Sequence, residues 1–279
     1  MNREDLIKMA GDFVENSPDN YINEQLAISP DLVGIKIFEA PLFGFGAPDD
    51  AYFNLFKRDS IIGQHYMLPR EWLPRAQTVI SFFLPFSLDV KKATRKTRIW
   101  PSNEWLHGRI EGQAFINRLC AYLKGSLNDA GFTSLVPSLD ERFWAQMDAG
   151  PNSKHPGLSY TSTWSERHAA FVCGLGTFGL SRGLITARGI AGRFGSIISE
   201  LYLPADERQY EEVSEFCSMC GHCVKRCPVA AISIEEGKNH SICSAFLDRT
   251  TARYSPRYGC GKCQTGVPCE SRIPPKNNP

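Results

Sequence analysis

"CSMCGHCVKRCP", residues 217–228, places four cysteines at intervals of two, two and three residues and ends on a proline. Short loops at this spacing can bring several thiolates around one metal centre. Four further cysteines follow downstream, at positions 243, 260, 263 and 269. Eight of the ten cysteines therefore lie after residue 216, at spacings typical of metal ligands in a reducing compartment. The other two, Cys120 and Cys173, are interpreted as inert buried thiols.

The motif matches the C-x2-C-x2-C-x3-C-P run of bacterial ferredoxins, in which the fourth cysteine ligates the other cluster of a two-cluster protein. We therefore predict two [4Fe-4S] clusters. The first is assigned to Cys217, Cys220, Cys223 and Cys269, and the second to Cys227, Cys243, Cys260 and Cys263. Structural zinc is the alternative, since paired C-x-x-C groups also build four-thiolate zinc sites. The third close cysteine and the trailing Pro228 favour iron and sulfur.

Composition limits the function classes that the chain can belong to. Its 279 residues are 42% hydrophobic, which supports a substantial buried core. A formal net charge of +1 provides no global basic field and argues against nucleic acid as a partner. The charged N-terminus does not resemble a signal peptide, and no apolar run reaches about 18 residues. We expect a cytoplasmic protein with no membrane partner.

The hydrophobic pattern upstream of the cysteines indicates a mixed order of helices and strands. Helices are predicted for residues 3–16, 113–130 and 164–172, and strands for residues 32–38, 78–86, 132–136, 183–189 and 194–203. This order predicts one α+β domain over residues 1–208. The charged segment 204–215 would then lead into a cysteine-rich domain over residues 209–279.

"GLGTFG", residues 174–179, satisfies the G-x-G-x-x-G pattern of dinucleotide sites. That motif needs a strand before it and a helix after it, so that the pyrophosphate meets a helix N-terminus. Here a predicted helix comes first and strand-like sequence follows, which argues against NAD. Gly174 is instead predicted to cap the helix, and the remaining glycines to form a turn where backbone can approach a large flat cofactor.

Three upstream segments and the cysteine module together resemble the epoxyqueuosine reductases and, more distantly, the reductive dehalogenases. The segments are "YMLPREWLPRAQTVISFFLPF" (66–86), "ERHAAFVCGLGTFGLSRGLIT" (166–186) and "GRFGSIISELYL" (192–203). The resemblance implies a nitroreductase-related cobalamin-binding domain followed by a ferredoxin-like module whose two [4Fe-4S] clusters pass low-potential electrons to cobalt. It implies an oxygen-sensitive cobalamin-dependent reductase, with flavin as the alternative cofactor. The implied cofactor-binding residues are Gly174, Gly176, Thr177, Gly179, Leu180, Arg193, Gly195 and Ser196.

The same resemblance points to Tyr160 as the catalytic proton donor, because it falls where the epoxyqueuosine reductases have an acid and where reductive dehalogenases use a tyrosine. A packed loop tyrosine is the competing interpretation. Asp140, Glu141 and Glu166 are acidic alternatives, although complementing the helix dipole would also explain Glu166. His107 and Arg109 occupy a stretch that lies near the substrate in the resembled family.

Partners follow from the same resemblance. It implies a ferredoxin or flavodoxin as electron donor, a small-molecule or corrinoid substrate, and a homodimer. The chain ends ten residues after Cys269, without the helical repeats that grip tRNA in epoxyqueuosine reductases, so we expect a small-molecule substrate. The alternative is a corrinoid-reducing or electron-transfer protein that serves a partner enzyme. "KKATRKTR", residues 91–98, is interpreted as a solvated loop, with docking of an acidic donor or of a phosphate-bearing cofactor tail as alternatives.

Overall fold

The computed structural model describes residues 1–147 and 150–276 and shows a mixed α/β chain. The helices are α1 (Arg3–Asn16), α2 (Ala51–Phe56), α3 (Pro69–Trp72), α4 (Leu88–Lys96), α5 (Asn103–Asp129), α6 (Glu166–Val172), α7 (His222–Arg226) and α8 (His240–Tyr254). The strands are β1 (Leu42–Gly46), β2 (Thr78–Pro85), β3 (Ser134–Leu135), β4 (Ala145–Gln146), β5 (Thr161–Ser162), β6 (Gly176–Phe178), β7 (Leu184–Thr186), β8 (Gly192–Ser199), β9 (Ile232–Ser233) and β10 (Gly237–Lys238). Among the described residues, no helix is long and apolar enough to cross a membrane.

An antiparallel sheet in the order β1-β2-β8-β3 forms the centre of the fold. Strands β2 and β8 pair along their whole length, from Thr78 opposite Ser199 to Pro85 opposite Gly192. Every residue of β2 is buried, so the apolar run at 78–86 is covered on both faces, as predicted. The sheet therefore needs a packed layer on each side.

Those two layers are helical. On one face α5 and α1 pack in a core that includes Phe115, Leu119 and the strand residue Ile197. On the other face α6 packs in a second core that includes Ala170 and the next strand residue, Ile198. Successive residues of β8 thus point to opposite layers, as the two-residue period of a strand requires. Helices α5 and α6 both contact β8, from opposite faces of the sheet.

Helix α1 agrees with the predicted bounds because Asn2 and Asp5 form a reciprocal capping box at its start. Helix α5 begins ten residues before the prediction, at Asn103, where the Ser102 hydroxyl accepts the Trp105 backbone N–H at 3.2 Å. The strand predicted at 32–38 is wrong. That segment makes only isolated bridges, at Lys36 and Phe38, and its start is a 3-10 helix over Pro30–Leu32.

The interpretation of residues 91–98 as a solvated loop is also wrong. Most of the segment belongs to α4, which Ser87 caps through the backbone N–H of Val90. The face that carries Lys91 and Thr94 is buried, while Lys92, Arg95 and Lys96 are exposed. The basic residues of this segment therefore lie mostly on an ordered helix.

The glycine segment ends α6 as predicted. Gly174 has φ +79°, a left-handed conformation that glycine adopts without steric cost. The backbone N–H of Gly174 donates to Phe171 at 3.2 Å, and that of Leu175 donates to Ala170 at 3.0 Å. These two bonds make a Schellman motif, after which β6 and β7 form a hairpin. The order helix, turn, hairpin differs from the strand, turn, helix of a dinucleotide site.

The cysteine-rich segment lies directly against the sheet. The backbone N–H of Ile190 donates to the carbonyl of Cys269 at 2.9 Å, and that of Ala191 donates to Glu270 at 3.1 Å. At Gly189 (φ +85°) an added Cβ would lie 2.3 Å from the Glu270 carbonyl oxygen. Glycine at this position therefore permits the close approach of the two segments. The boundary between residues 208 and 209 stays a prediction.

Candidate functional site

The first group of cysteines surrounds one cavity. Its lining includes Cys217, Cys220, Cys223 and Cys269, together with the apolar side chains of Ile185, Ile190 and Val267. The pKa of the Cys269 thiol is raised to about 12, mainly by burial, with contributions from Cys217, Cys223 and Cys220. Four thiols this close cannot all ionise without a cation between them. The arrangement therefore fits an iron–sulfur cluster, whose positively charged iron would stabilise the ionised thiols.

The second group is formed by Cys227, Cys243, Cys260 and Cys263. The pKa of Cys260 is raised to about 12, mainly by burial, with contributions from Cys263 and Cys243. Burial also raises the pKa of Cys263, which Cys243 and Cys227 raise further and Lys238 lowers. The electrostatic neighbours of these thiols thus include the cysteines assigned to the second cluster. The sets themselves stay a prediction until iron is measured.

The two groups are adjacent. Burial raises the pKa of Cys223, a first-group thiol, to about 11, and the largest electrostatic contribution comes from Cys263 of the second group. The loop that carries the first three cysteines is tightly wound, with φ of +52° at Met219 and +69° at Gly221. No group of three His, Cys, Asp or Glu side chains within 1–147 and 150–276 is spaced for a single metal ion. The cysteines of the two groups are neighbours in the fold.

Three arginines from separate elements form a basic group beside the second set of cysteines: Arg109 of α5, Arg167 of α6 and Arg193 of β8. The pKa of Arg193 is lowered to about 9, mainly by burial, with contributions from Arg109 and Arg167. Burial also lowers the pKa of Arg167, although its side chain is accessible to solvent. Arg167 is thus exposed to solvent and also surrounded by protein atoms, and we name the region that the three arginines border the arginine concavity. Cys263 makes the largest electrostatic contribution that opposes the shift of the Arg167 pKa, so this concavity adjoins the second cysteine group.

This concavity lacks the acidic partners that arginines usually have. None of the three arginines forms an ion pair with any residue that the structure describes. Arg109 donates to the Tyr258 hydroxyl at 2.7 Å and lies 4.6 Å from its ring centroid, and Arg193 donates to Gln113. The Nε atoms of Arg109 and Arg193 are buried without a partner among the described residues. Unpaired buried donors are costly, so the residues fit a polar or anionic ligand.

Tyr160 lies at the edge of the same region. Its φ of +54° is uncommon for a residue other than glycine, and such strained residues occur preferentially at functional sites. Its ring centroid is 5.0 Å from that of His240, the first residue of α8. The pKa of His240 is lowered to about 4, mainly by burial, with contributions from Lys238, Arg182 and Arg167. These three cations therefore lie near the ring against which Tyr160 packs.

The residues predicted to bind the cofactor separate into three places. Gly179 and Leu180 line the cavity of the first cysteine group, and Arg193 belongs to the arginine group. The other predicted contacts stabilise the fold in this structure. The Thr177 hydroxyl accepts the Phe216 backbone N–H at 2.8 Å, and the Ser196 hydroxyl accepts the Trp164 indole N–H at 2.9 Å.

The glycines of that set allow close packing. An added Cβ at Gly176 would lie 1.9 Å from the Ile185 carbonyl oxygen, and one at Gly195 would lie 2.4 Å from the Phe82 ring. Gly174 is used by the Schellman motif of α6. The structure therefore does not bring the eight predicted contacts to one surface, and their role in cofactor binding stays a prediction.

Sequence reasoning missed the partners of Tyr160 and Arg193. Arg167 lies in the segment 166–186, but nothing in the neighbouring sequence distinguishes it from a surface charge. Tyr258 and His240 lie in the cysteine-rich segment and reach the concavity only through folding. Of His107 and Arg109, which were predicted to lie near the substrate, Arg109 belongs to the arginine group. His107 is buried and bonded to Glu111 at 3.1 Å.

The acidic alternatives to Tyr160 lie elsewhere. Asp140 is paired with Arg142, and the hydrogen bond from that guanidinium is the main cause that holds the Asp140 pKa below its ordinary value. Glu141 is exposed. Both carboxylate oxygens of Glu166 are buried, and burial raises its pKa to about 7, an effect that the polar groups of Ser196 and Trp164 offset only in part. Glu166 therefore faces the sheet rather than the arginine group.

We expect the Glu166→Gln variant to gain stability over the native protein as pH rises. The Glu166 pKa is raised from 4.5 to about 7, so the folded chain holds an extra proton in this range. Stability present below pH 4.5 is therefore lost as pH rises toward 7, by about 3 kcal/mol. The difference in Tm between variant and native protein should be several degrees larger at pH 8 than at pH 5. Glu141→Gln, at an exposed position, is the matched control, and an equal difference at both pH values would contradict the prediction.

Comparison with solved structures shows which fold the chain shares. The epoxyqueuosine reductase from Streptococcus thermophilus matches with a TM-score of 0.52 and 15% identity, over 97% of this chain and 66% of that chain. The N-terminally tagged catabolic reductive dehalogenase NpRdhA matches with a TM-score of 0.55 and 13% identity, over 84% of this chain and 30% of that chain. Its complex with 3-bromo-4-hydroxybenzoic acid matches over the same shares, with a TM-score of 0.53 and 13% identity.

These matches establish a common fold at low sequence identity. The chain spans 66% of the length of the epoxyqueuosine reductase and 30% of that of the dehalogenase. No family model matches the sequence, and no curated protein matches it. The resemblance inferred from the quoted segments is thus confirmed at the level of the fold.

Proposed function

We propose that the chain is an iron–sulfur reductase in which two [4Fe-4S] clusters deliver low-potential electrons to a bound corrinoid for the reduction of a small molecule. The observation that carries the proposal is the gathering of eight cysteines into two adjacent groups, the second of which adjoins the arginine concavity. A shared fold with an epoxyqueuosine reductase and a reductive dehalogenase supports it.

Each part of the site has a separate task. When bound, the clusters would supply single electrons and the corrinoid would supply a reducing metal centre. The two cysteine groups hold the clusters. Arg109 and Arg193 present buried, unpartnered N–H donors that suit the amide oxygens and phosphate of a corrinoid. The protein side of the reaction is therefore binding, orientation and the exclusion of water.

Tyr160 supplies the proton in this proposal. A phenol held within hydrogen-bond reach of a reacting group can act as its general acid. Lys238, Arg182 and Arg167 act on His240, whose ring contacts that of Tyr160. The proton would leave from the Tyr160 hydroxyl toward the reduced substrate, and solvent would later restore it.

A second candidate function is a corrinoid-reducing or electron-transfer protein that serves a partner enzyme. The observation that favours it is the exposure of Cys220, which places one edge of the first cysteine group at the protein surface. An exposed cluster can exchange electrons with a partner directly. A flavin in place of the corrinoid is compatible with both candidates.

The test is a visible spectrum of anaerobically reconstituted protein after incubation with hydroxocobalamin and desalting. We expect a broad iron–sulfur absorbance together with retained corrinoid at about one per chain. Arg193→Gln should lower retention at least tenfold, because it removes a buried donor. Arg118→Gln, at an accessible ion pair on α5, should not. An iron–sulfur spectrum without corrinoid in the native protein would contradict the corrinoid proposal and favour flavin or a simple electron carrier.

A further inference from the structure

Helix α4 and the cysteine-rich segment together form a groove lined almost entirely by cations. We name it the basic groove, and its lining residues are Arg95, Lys96, Thr97, Arg98, Lys225 and Arg226. It encloses about 610 Å³ of space that is continuous with solvent. The two sides come from residues more than a hundred positions apart, so the groove exists only in the folded chain.

The groove has fixed walls. The Arg226 guanidinium donates to the backbone carbonyls of Thr94 at 3.3 Å and Arg95 at 3.4 Å, near the C-terminus of α4. Its Nε donates to the carbonyl of Thr265 at 3.2 Å. A cation at a helix C-terminus is favourable because the helix dipole is negative there. These bonds hold α7 against α4 and keep the two sides of the groove together.

Most charges of the groove are unpaired. Arg95 is neutralised by Glu270. The other four cations, Lys96, Arg98, Lys225 and Arg226, form no ion pair with any residue in the described ranges. Two residues after Arg98 in the chain, the Trp100 ring is covered by the exposed Arg249 and Arg253 of α8, at 5.7 and 4.8 Å from its centroid. The basic surface therefore extends onto a third element, although the whole chain has a formal net charge of only +1.

The groove lies next to the second cysteine group. Lys225 and Arg226 immediately precede Cys227 in the chain. From the other side Lys262, between Cys260 and Cys263, is fully buried and donates to the Thr94 carbonyl at 3.3 Å and to the Thr97 hydroxyl. Segments that carry three of the four second-group cysteines thus meet α4 at the groove. A protein bound there would be near the second proposed cluster.

We propose that the basic groove is the docking site of an acidic one-electron carrier protein that reduces the second cluster. The carrier loses one electron and the cluster gains it, with no bond made or broken. Unpaired cations attract an acidic partner and orient it during encounter, and redox complexes use small, charge-steered interfaces. The inference rests on the proposed function, because it needs a cluster to reduce.

The experiment uses the reconstituted full chain and a reduced acidic flavodoxin as the probe. Anaerobic rapid mixing follows the bleaching of the iron–sulfur absorbance. We expect the second-order rate constant for the native protein to fall at least tenfold between low and high salt, since salt screens such attraction. Lys96→Glu with Lys225→Glu should lower the low-salt rate constant at least tenfold and remove most of the salt dependence. Lys124→Glu, an exposed change on α5, should leave the rate constant within twofold.

Two controls separate this inference from the proposed function. Iron content and complete reduction by reduced methyl viologen show that each variant holds working clusters. If methyl viologen reduces no cluster in the native protein, the proposed function fails. If it does, and flavodoxin reduces the doubly substituted variant as fast as the native protein, the docking proposal is overturned. Tight binding of a single-stranded RNA to the groove, with no effect of the substitutions on the flavodoxin rate, would also overturn it.

Discussion

Replacing Cys217 by alanine should lower bound iron from about eight to about four atoms per reconstituted chain, because each [4Fe-4S] cluster needs its full set of thiolates. Cys243→Ala should have the same effect through the other cluster. Cys120→Ala should keep all the iron, since that thiol is buried in the α5 core away from both groups. Iron analysis with the electron paramagnetic resonance spectrum of the reduced protein measures both results.

Paired substitutions test how the ligands are divided. Cys217→Ala with Cys269→Ala should lose no more iron than Cys217→Ala alone, because both thiols line the same cavity. Cys217→Ala with Cys227→Ala should lose both clusters, although these two residues are much closer in the sequence. The opposite result would contradict the ligand sets and favour a division by sequence neighbourhood.

Replacing Tyr160 by phenylalanine should lower substrate reduction by about 10²-fold to 10⁴-fold, the usual contribution of a positioned proton donor. Only the hydroxyl is lost, so iron content and corrinoid retention should stay at native levels. Tyr202→Phe, on an exposed side chain, is the matched control. Turnover is measured with 3-bromo-4-hydroxybenzoic acid and with a small epoxide, using reduced methyl viologen as the electron source.

Two outcomes bear on this role. Turnover within twofold of native in Tyr160→Phe would contradict proton donation and leave a packed tyrosine. A native protein that retains corrinoid and turns over neither probe would favour the second candidate, an electron-transfer protein without a substrate of its own. In that case Tyr160→Phe should leave electron transfer between clusters and corrinoid unchanged.

The spacing of the cysteines predicts two ligand sets, and this division stays a prediction. The information is local, because intervals of two and three residues limit how a loop can place its sulfur atoms. Cys269 lies far along the chain from Cys217, and both residues line one cavity in the structure. The buried strand β2 and the helix end at Gly174 were predictable for the same reason, since each depends on a short segment.

The arginine concavity was not predictable. Arg109, Arg167 and Arg193 come from two helices and a strand, and only the packing of α5 and α6 on opposite faces of the sheet brings them together. The segment at 91–98 failed for a related reason. Its charges suggest a solvated loop, but Val90 and Thr94 provide a buried face that stabilises a helix. Side chains that depend on tertiary contacts leave no periodic signal in the sequence.

The most direct test of the account is whether electrons held by the clusters reach a bound corrinoid. Reconstituted protein with retained corrinoid would be reduced at the clusters, freed of excess reductant without exposure to oxygen, and followed by its visible spectrum. We expect the iron–sulfur absorbance to recover while the corrinoid spectrum shifts to a reduced form, with equal numbers of electrons lost and gained. Clusters that stay reduced beside an unchanged corrinoid would contradict it.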